Sequence, residues 1–121
     1  SDINIIGISI KDKKKDQEEK VFNLAKKCCD YINFSYPKKE EVLVFDDYVG
    51  EGYGIPTEGM KAALKLMATK EAILLDPVYS GKCFDGLIDL INKEYFKDSD
   101  KLLFIHTGGA VSLHGYEWAF I

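Results

Sequence analysis

The chain has 121 residues, enough for one domain with a real core. A content of 46% hydrophobic and 30% charged residues is that of an ordinary globular protein, and a net charge of −4 gives neither nucleic acid nor an anionic membrane an electrostatic reason to bind. No apolar run approaches the roughly 20 residues of a membrane span, and Ile3 to Ile10 is too short, and lacks the basic start, for a signal peptide.

All 16 basic residues are lysines, so no arginine fork can clamp a carboxylate or phosphate. An anion would have to be held by backbone N–H groups, hydroxyls or lysine. Cys28, Cys29 and Cys83 are odd in number and lack metal-ligand spacing, which reads as reduced, core-facing thiols in a cytoplasmic protein.

In chain order, the β-branched run Ile3 to Ile10 predicts a buried strand. The charged run Lys11 to Lys20 opens a helix, in which Val21, Leu24, Ala25, Cys28 and Ile32 fall on one face. Lys13 to Lys15 reads as a solvated stretch and Pro37 as the end of the unit. Glu41 to Asp46 predicts a second strand, and the Gly- and Tyr-rich Asp47 to Pro56 a loop. Pro56 suits the first turn of a second helix, Glu58 complements its positive end, and Met60, Ala63, Leu64 and Met67 supply its buried face.

Glu71 to Leu75 predicts a third strand, stopped by Asp76-Pro77. A third helix follows with Phe84, Leu87, Ile88 and Ile91 on one side. Asp98 to Asp100 makes a turn, Leu102 to His106 a fourth strand, and Gly108-Gly109 opens a last helix that includes Leu113 and ends near Trp118. Four β-α units with short connections predict an α/β fold, a parallel doubly wound sheet with helices on both faces.

Three loops then fall on the carboxyl edge of the sheet, where such folds bind ligands. They carry Tyr53, Tyr79-Ser80 and Thr107-Gly108-Gly109. Tyr53 stands between two glycines, which permits a tight turn and an exposed ring. Phenols can orient a carboxylate, or relay a proton when their pKa is lowered. Glycine-rich helix starts can hold an anion or a polar ring atom. Each residue also has a plain structural reading: packing for the two tyrosines, helix capping for Ser80, an ordinary turn for Thr107. Lys82 reads as a structural lysine rather than a nucleophile, His106 as a satisfied interior histidine, and His114 as packing. No metal site is expected.

Three segments in order are similar to one family. They are Tyr53-Gly54-Ile55-Pro56-Thr57-Glu58-Gly59, Leu75-Asp76-Pro77-Val78-Tyr79-Ser80-Gly81-Lys82 and Phe104-Ile105-His106-Thr107-Gly108-Gly109-Ala110. They resemble the C-terminal portion of the pyridoxal-phosphate-dependent D-cysteine desulfhydrase and 1-aminocyclopropane-1-carboxylate deaminase family. The resemblance runs over essentially the whole chain.

It implies a fold of the tryptophan synthase β-subunit type (fold type II), usually a homodimer, in which residues 1–121 form the C-terminal part of the large cofactor-binding domain. It implies that Tyr53 and Tyr79 are active-site tyrosines facing a small amino-acid substrate, and that Ser80, Thr107 and Gly108 lie beside the cofactor ring. It also implies that the Schiff-base lysine, a catalytic serine and the phosphate loop lie upstream, in an N-terminal portion absent here. This chain alone should then be inactive. Cyclopropane-opening relatives carry glutamate at position 80, so Ser80 inclines the reading toward D-cysteine desulfhydrase, an α,β-elimination giving pyruvate, ammonia and sulfide. Val111 replaces a proline common in relatives. The alternatives are the deaminase itself and a non-catalytic α/β binding module.

Overall fold

A computed structural model describes residues 3–98 and 100–121. Its elements are β1 (Ile6–Ile8), α1 (Lys14–Ile32), β2 (Leu43–Phe45), α2 (Glu58–Glu71) and α3 (Ser80–Asn92), with 3-10 turns at Lys39–Glu41, Ala110–Gly115 and Glu117–Ala119. β1 and β2 pair in parallel, with Ile6 opposite Leu43 and Ile8 opposite Phe45. A parallel pair joined through a helix is the βαβ unit that the sequence predicts, shorter at both strands. The fold is α/β, built on a parallel sheet with helices.

Each helix has a local reason to begin and end. Asp46 Oδ2 accepts the Lys14 N–H at 2.7 Å, which ties the start of α1 to the end of β2. α1 stops at Asn33, whose left-handed backbone (φ 53°) closes the last turn. Thr57 Oγ1 caps α2 by accepting the Met60 N–H at 3.2 Å, so Pro56 precedes the helix instead of entering it. Asp76 caps α3: its carboxylate accepts the N–H groups of Val78, Tyr79 and Ser80 at 2.7 to 2.9 Å.

The core lies where α2 packs on α3. Met60, Leu64 and Leu75 are buried, with Met67, Phe84, Phe104 and Leu113 against them. Burying each large side chain contributes about 1.5–3 kcal/mol. Gly81 permits the close approach, since a Cβ there would stand 2.3 Å from Leu64 Cδ1 and 2.7 Å from the Asp76 carbonyl oxygen. Gly86 likewise admits Ile8, which seats α3 on β1.

Several expectations need correction. The segments expected as a third and fourth strand form no ladder among the described residues. Leu75 is buried, but Ile73, Leu74, Leu103 and Ile105 are exposed. A strand is stabilised by its neighbours, and here side chains take their place: His106 Nε2 meets the Leu74 carbonyl at 3.0 Å, and Phe104 packs edge-on against Phe84 of α3 at 5.2 Å. The last helix is two short 3-10 turns. The apolar face of α1 is bare, with Leu24 62% and Ile32 63% exposed.

On α3 the fully buried positions are Ser80, Gly81, Lys82, Gly86 and Leu90, while Ile91 is exposed. The three cysteines are free, but Cys28 is exposed and the other two half-buried, so they are not a core set. A turn does form at Lys97, whose carbonyl accepts the Asp100 N–H at 2.9 Å; Ser99 lies outside the described residues. No described helix is long and apolar enough to cross a membrane.

Candidate functional site

The structure brings Tyr53 and Tyr79 together. Their hydroxyls lie 2.5 Å apart, their rings meet edge-on at 6.1 Å, and each residue is half exposed. Residues 26 apart in sequence thus present one pair of phenols to solvent. One hydroxyl donates to the other, which leaves a single phenolic proton for an outside group. The bond to Tyr53 holds the Tyr79 hydroxyl above the ordinary tyrosine pKa, with smaller contributions from burial and the Asp76 charge. Tyr79 therefore holds its proton at neutral pH. Lys11, just past β1, places its Nζ 5.8 Å from the centre of the Tyr53 ring.

Four interactions set the tyrosine loops. The Tyr116 hydroxyl donates to the Gly54 carbonyl at 2.8 Å, and Gly54 has φ +74°. A Cβ at residue 54 would lie 3.1 Å from that hydroxyl, so glycine serves both the turn and the contact. Lys82, fully buried, donates from Nζ to the carbonyls of Val49 (2.6 Å) and Gly52 (3.1 Å). Asp76 fixes the backbone at Tyr79.

Burial pushes the Lys82 ammonium below its ordinary pKa. Its seclusion and its two carbonyl partners match the structural reading of this lysine, not that of a nucleophile.

Ser80 is buried and its hydroxyl is engaged twice. It donates to Asp76 Oδ1 at 2.6 Å and accepts the Asp76 N–H at 2.8 Å. The expected capping role belongs to Asp76, with Ser80 as the first residue of the helix it caps. Burial raises the Asp76 pKa, but hydrogen bonds from Ser80, Tyr79 and Val78 outweigh it and hold the carboxyl below its ordinary value. A buried carboxylate thus stands directly behind the Ser80 hydroxyl.

Thr107 and Gly108 are exposed, and the space beside the Gly108 Cα is open. Gly109 packs on Asp76, where a Cβ would lie 3.1 Å from Asp76 Cγ, so this turn and the Ser80 turn are neighbours. His106 joins them: Nδ1 accepts the Gly108 N–H at 2.9 Å while Nε2 donates to the Leu74 carbonyl. His106 is satisfied as expected, but exposed rather than interior. His114 is also exposed, 3.9 Å from a Glu117 oxygen, and does not pack. No group of three or more metal-ligating side chains occurs among the described residues.

Sequence reasoning missed Asp76 and Tyr116 as organisers, and it read Lys82 as structural without finding the loop that it holds. Only Asp76 left a local signal, since an aspartate before a turn commonly accepts backbone N–H groups.

The sequence model of the family described as "Pyridoxal-phosphate dependent enzyme" matches residues 2–108. Among solved structures, a crystal structure described as an ACC deaminase homologue is similar, with 32% identity and a TM-score of 0.82. The alignment covers 98% of this chain and 35% of that one, so the chain spans about a third of its relative.

Pyridoxal phosphate is the cofactor of the family. Thr107 and Gly108 offer exposed, open space to the ring side of such a group, and the buried Ser80 hydroxyl, whose proton goes to Asp76, has only a lone pair left to offer it. On the family match over residues 2–108, this chain belongs to the pyridoxal-phosphate-dependent enzymes.

Proposed function

We propose that the chain is the C-terminal part of the large domain of a pyridoxal-phosphate-dependent lyase acting on D-cysteine. Water is taken up, and pyruvate, ammonia and sulfide are released. The observation that carries the reading is the exposed phenol pair, Tyr53 and Tyr79, next to Ser80 and to the Asp76 carboxylate on which Gly109 packs. Bound pyridoxal phosphate supplies the electron sink for bonds broken at the amino-acid carbon. Ser80, Thr107 and Gly108 would hold its ring side.

The phenol pair holds one proton at Tyr53 Oη or Tyr79 Oη that a leaving sulfur can take or a substrate carboxylate can share. Ser80 separates the reading from cyclopropane opening, because a hydroxyl holds a ring nitrogen protonated less firmly than glutamate would. The deaminase reading has its own support in the likeness to the ACC deaminase homologue. The Schiff-base lysine and phosphate loop are placed in the remainder of the enzyme, and the chain alone is inactive on this reading.

The test uses the full-length enzyme with Ser80 and with Ser80→Glu, measuring sulfide release from D-cysteine and ammonia release from 1-aminocyclopropane-1-carboxylate. The expected result is turnover of D-cysteine only, reduced by Ser80→Glu. Turnover of the cyclopropane substrate with Ser80 in place would overturn the choice.

A further inference from the structure

Lys82 is fully buried, yet its side chain spends its donors on the chain's own backbone, the carbonyls of Val49 and Gly52. Those carbonyls belong to the turns that lead into Tyr53, where the Gly52 carbonyl also accepts the Ile55 N–H at 3.3 Å. Lys82 itself stands three residues past Tyr79, in the first turn of α3. One ammonium therefore spans the two segments that carry the two phenols.

Burying an ammonium is costly unless it is well bonded. Nothing in the packing of α2 on α3 calls for a cation at this position. An apolar side chain would fill the same space without that cost, so the position is explained by what the ammonium holds.

We propose that Lys82 is a positioning residue that fixes Tyr53 against Tyr79. Removing the ammonium releases the Val49–Gly52 turn, and Tyr53 then leaves its hydrogen bond to Tyr79. The significance of this clamp for catalysis rests on the lyase reading, but the clamp itself does not.

The test therefore needs neither cofactor nor substrate. The 121-residue chain, labelled with 13C at the tyrosine ring carbon that bears oxygen, is titrated with base by NMR. Signals are assigned through Tyr53→Phe and Tyr79→Phe. In the unaltered chain Tyr79 titrates above the ordinary tyrosine value because of its bond to Tyr53. In Lys82→Met, of similar length and uncharged, the Tyr79 titration is expected to shift down toward the ordinary value. The Tyr36 signal, raised by the bond to Asp30 near the end of α1, is expected to stay in place.

A folded Lys82→Met chain with unshifted Tyr79 overturns the proposal. So does an equal movement of Tyr36, which would signal general loosening. If Lys82→Met does not fold, one glycine inserted between Gly52 and Tyr53 leaves the lysine and its carbonyls intact. Retention of the high Tyr79 titration there overturns the proposal, and its loss supports it. A failed clamp leaves the lyase reading standing, and a parent enzyme of other activity leaves the clamp standing.

Discussion

At the scale of single residues, Asp76 holds more of the site than any side chain that faces outward. Its carboxylate takes three backbone N–H groups and the Ser80 hydroxyl, all buried or nearly so. Loss of a capping side chain costs about 1 kcal/mol, and stranded buried donors add about 1–3 kcal/mol more. Asp76→Ala is therefore expected to lower the unfolding free energy by about 2–4 kcal/mol at neutral pH in urea titration. The pH dependence has a definite sign. The folded carboxyl is held below its ordinary value of 3.8, so its contribution is full above that value and is lost as pH falls through the folded pKa. The gap between the unaltered chain and Asp76→Ala should narrow on acidification. A gap that stays constant down to acid unfolding would show that the charge contributes nothing.

At the scale of elements, caps decide where the helices lie. α2 ends on Ala72, held at φ 55°, a left-handed conformation that costs a residue with a Cβ about 1–2 kcal/mol. Ala72→Gly is expected to stabilise the chain by about 1 kcal/mol, read as a raised urea midpoint with unchanged slope. A lowered midpoint would show that the Ala72 methyl packs usefully. The first three helices were legible in the sequence because an apolar period is local: Glu58 with Met60, Ala63 and Leu64 announces α2 within a few residues, although Pro56 stands before the first turn rather than in it and the Thr57 cap was not legible. The second pair of strands was not. Leu102 to His106 has the composition of a strand, but a strand is completed by a partner, and the described neighbours offer side chains rather than a ladder.

At the scale of the whole molecule, the apolar surface is unevenly spent. The contact between α2 and α3 is closely packed, while α1 leaves Leu24 and Ile32 in solvent and Leu103 and Ile105 stand exposed elsewhere. Exposed apolar stripes of this kind drive association. Leu24→Gln with Ile32→Gln is expected to change stability by less than about 0.5 kcal/mol, since neither side chain is buried. The same pair should reduce concentration-dependent self-association in analytical ultracentrifugation. A large loss of stability would mean that this face packs within the chain after all.

The sequence by itself determined the chemistry on offer: lysine as the only cation besides histidine, a tyrosine between glycines, Asp-Pro-Val-Tyr-Ser-Gly-Lys ahead of a helix, and the order of helices and first strands. These are properties of residue type and local spacing, which side-chain sterics and backbone hydrogen bonding fix within a few residues. Only the tertiary structure decided that Tyr53 and Tyr79 are hydrogen-bonded, that Lys82 faces inward to the Val49–Gly52 turn, and that Asp76 rather than Ser80 caps α3. Each of these depends on groups distant in sequence, or on the choice between competing hydrogen-bond partners. That choice is made by packing, because a buried donor or acceptor must find the partner that the fold brings within reach.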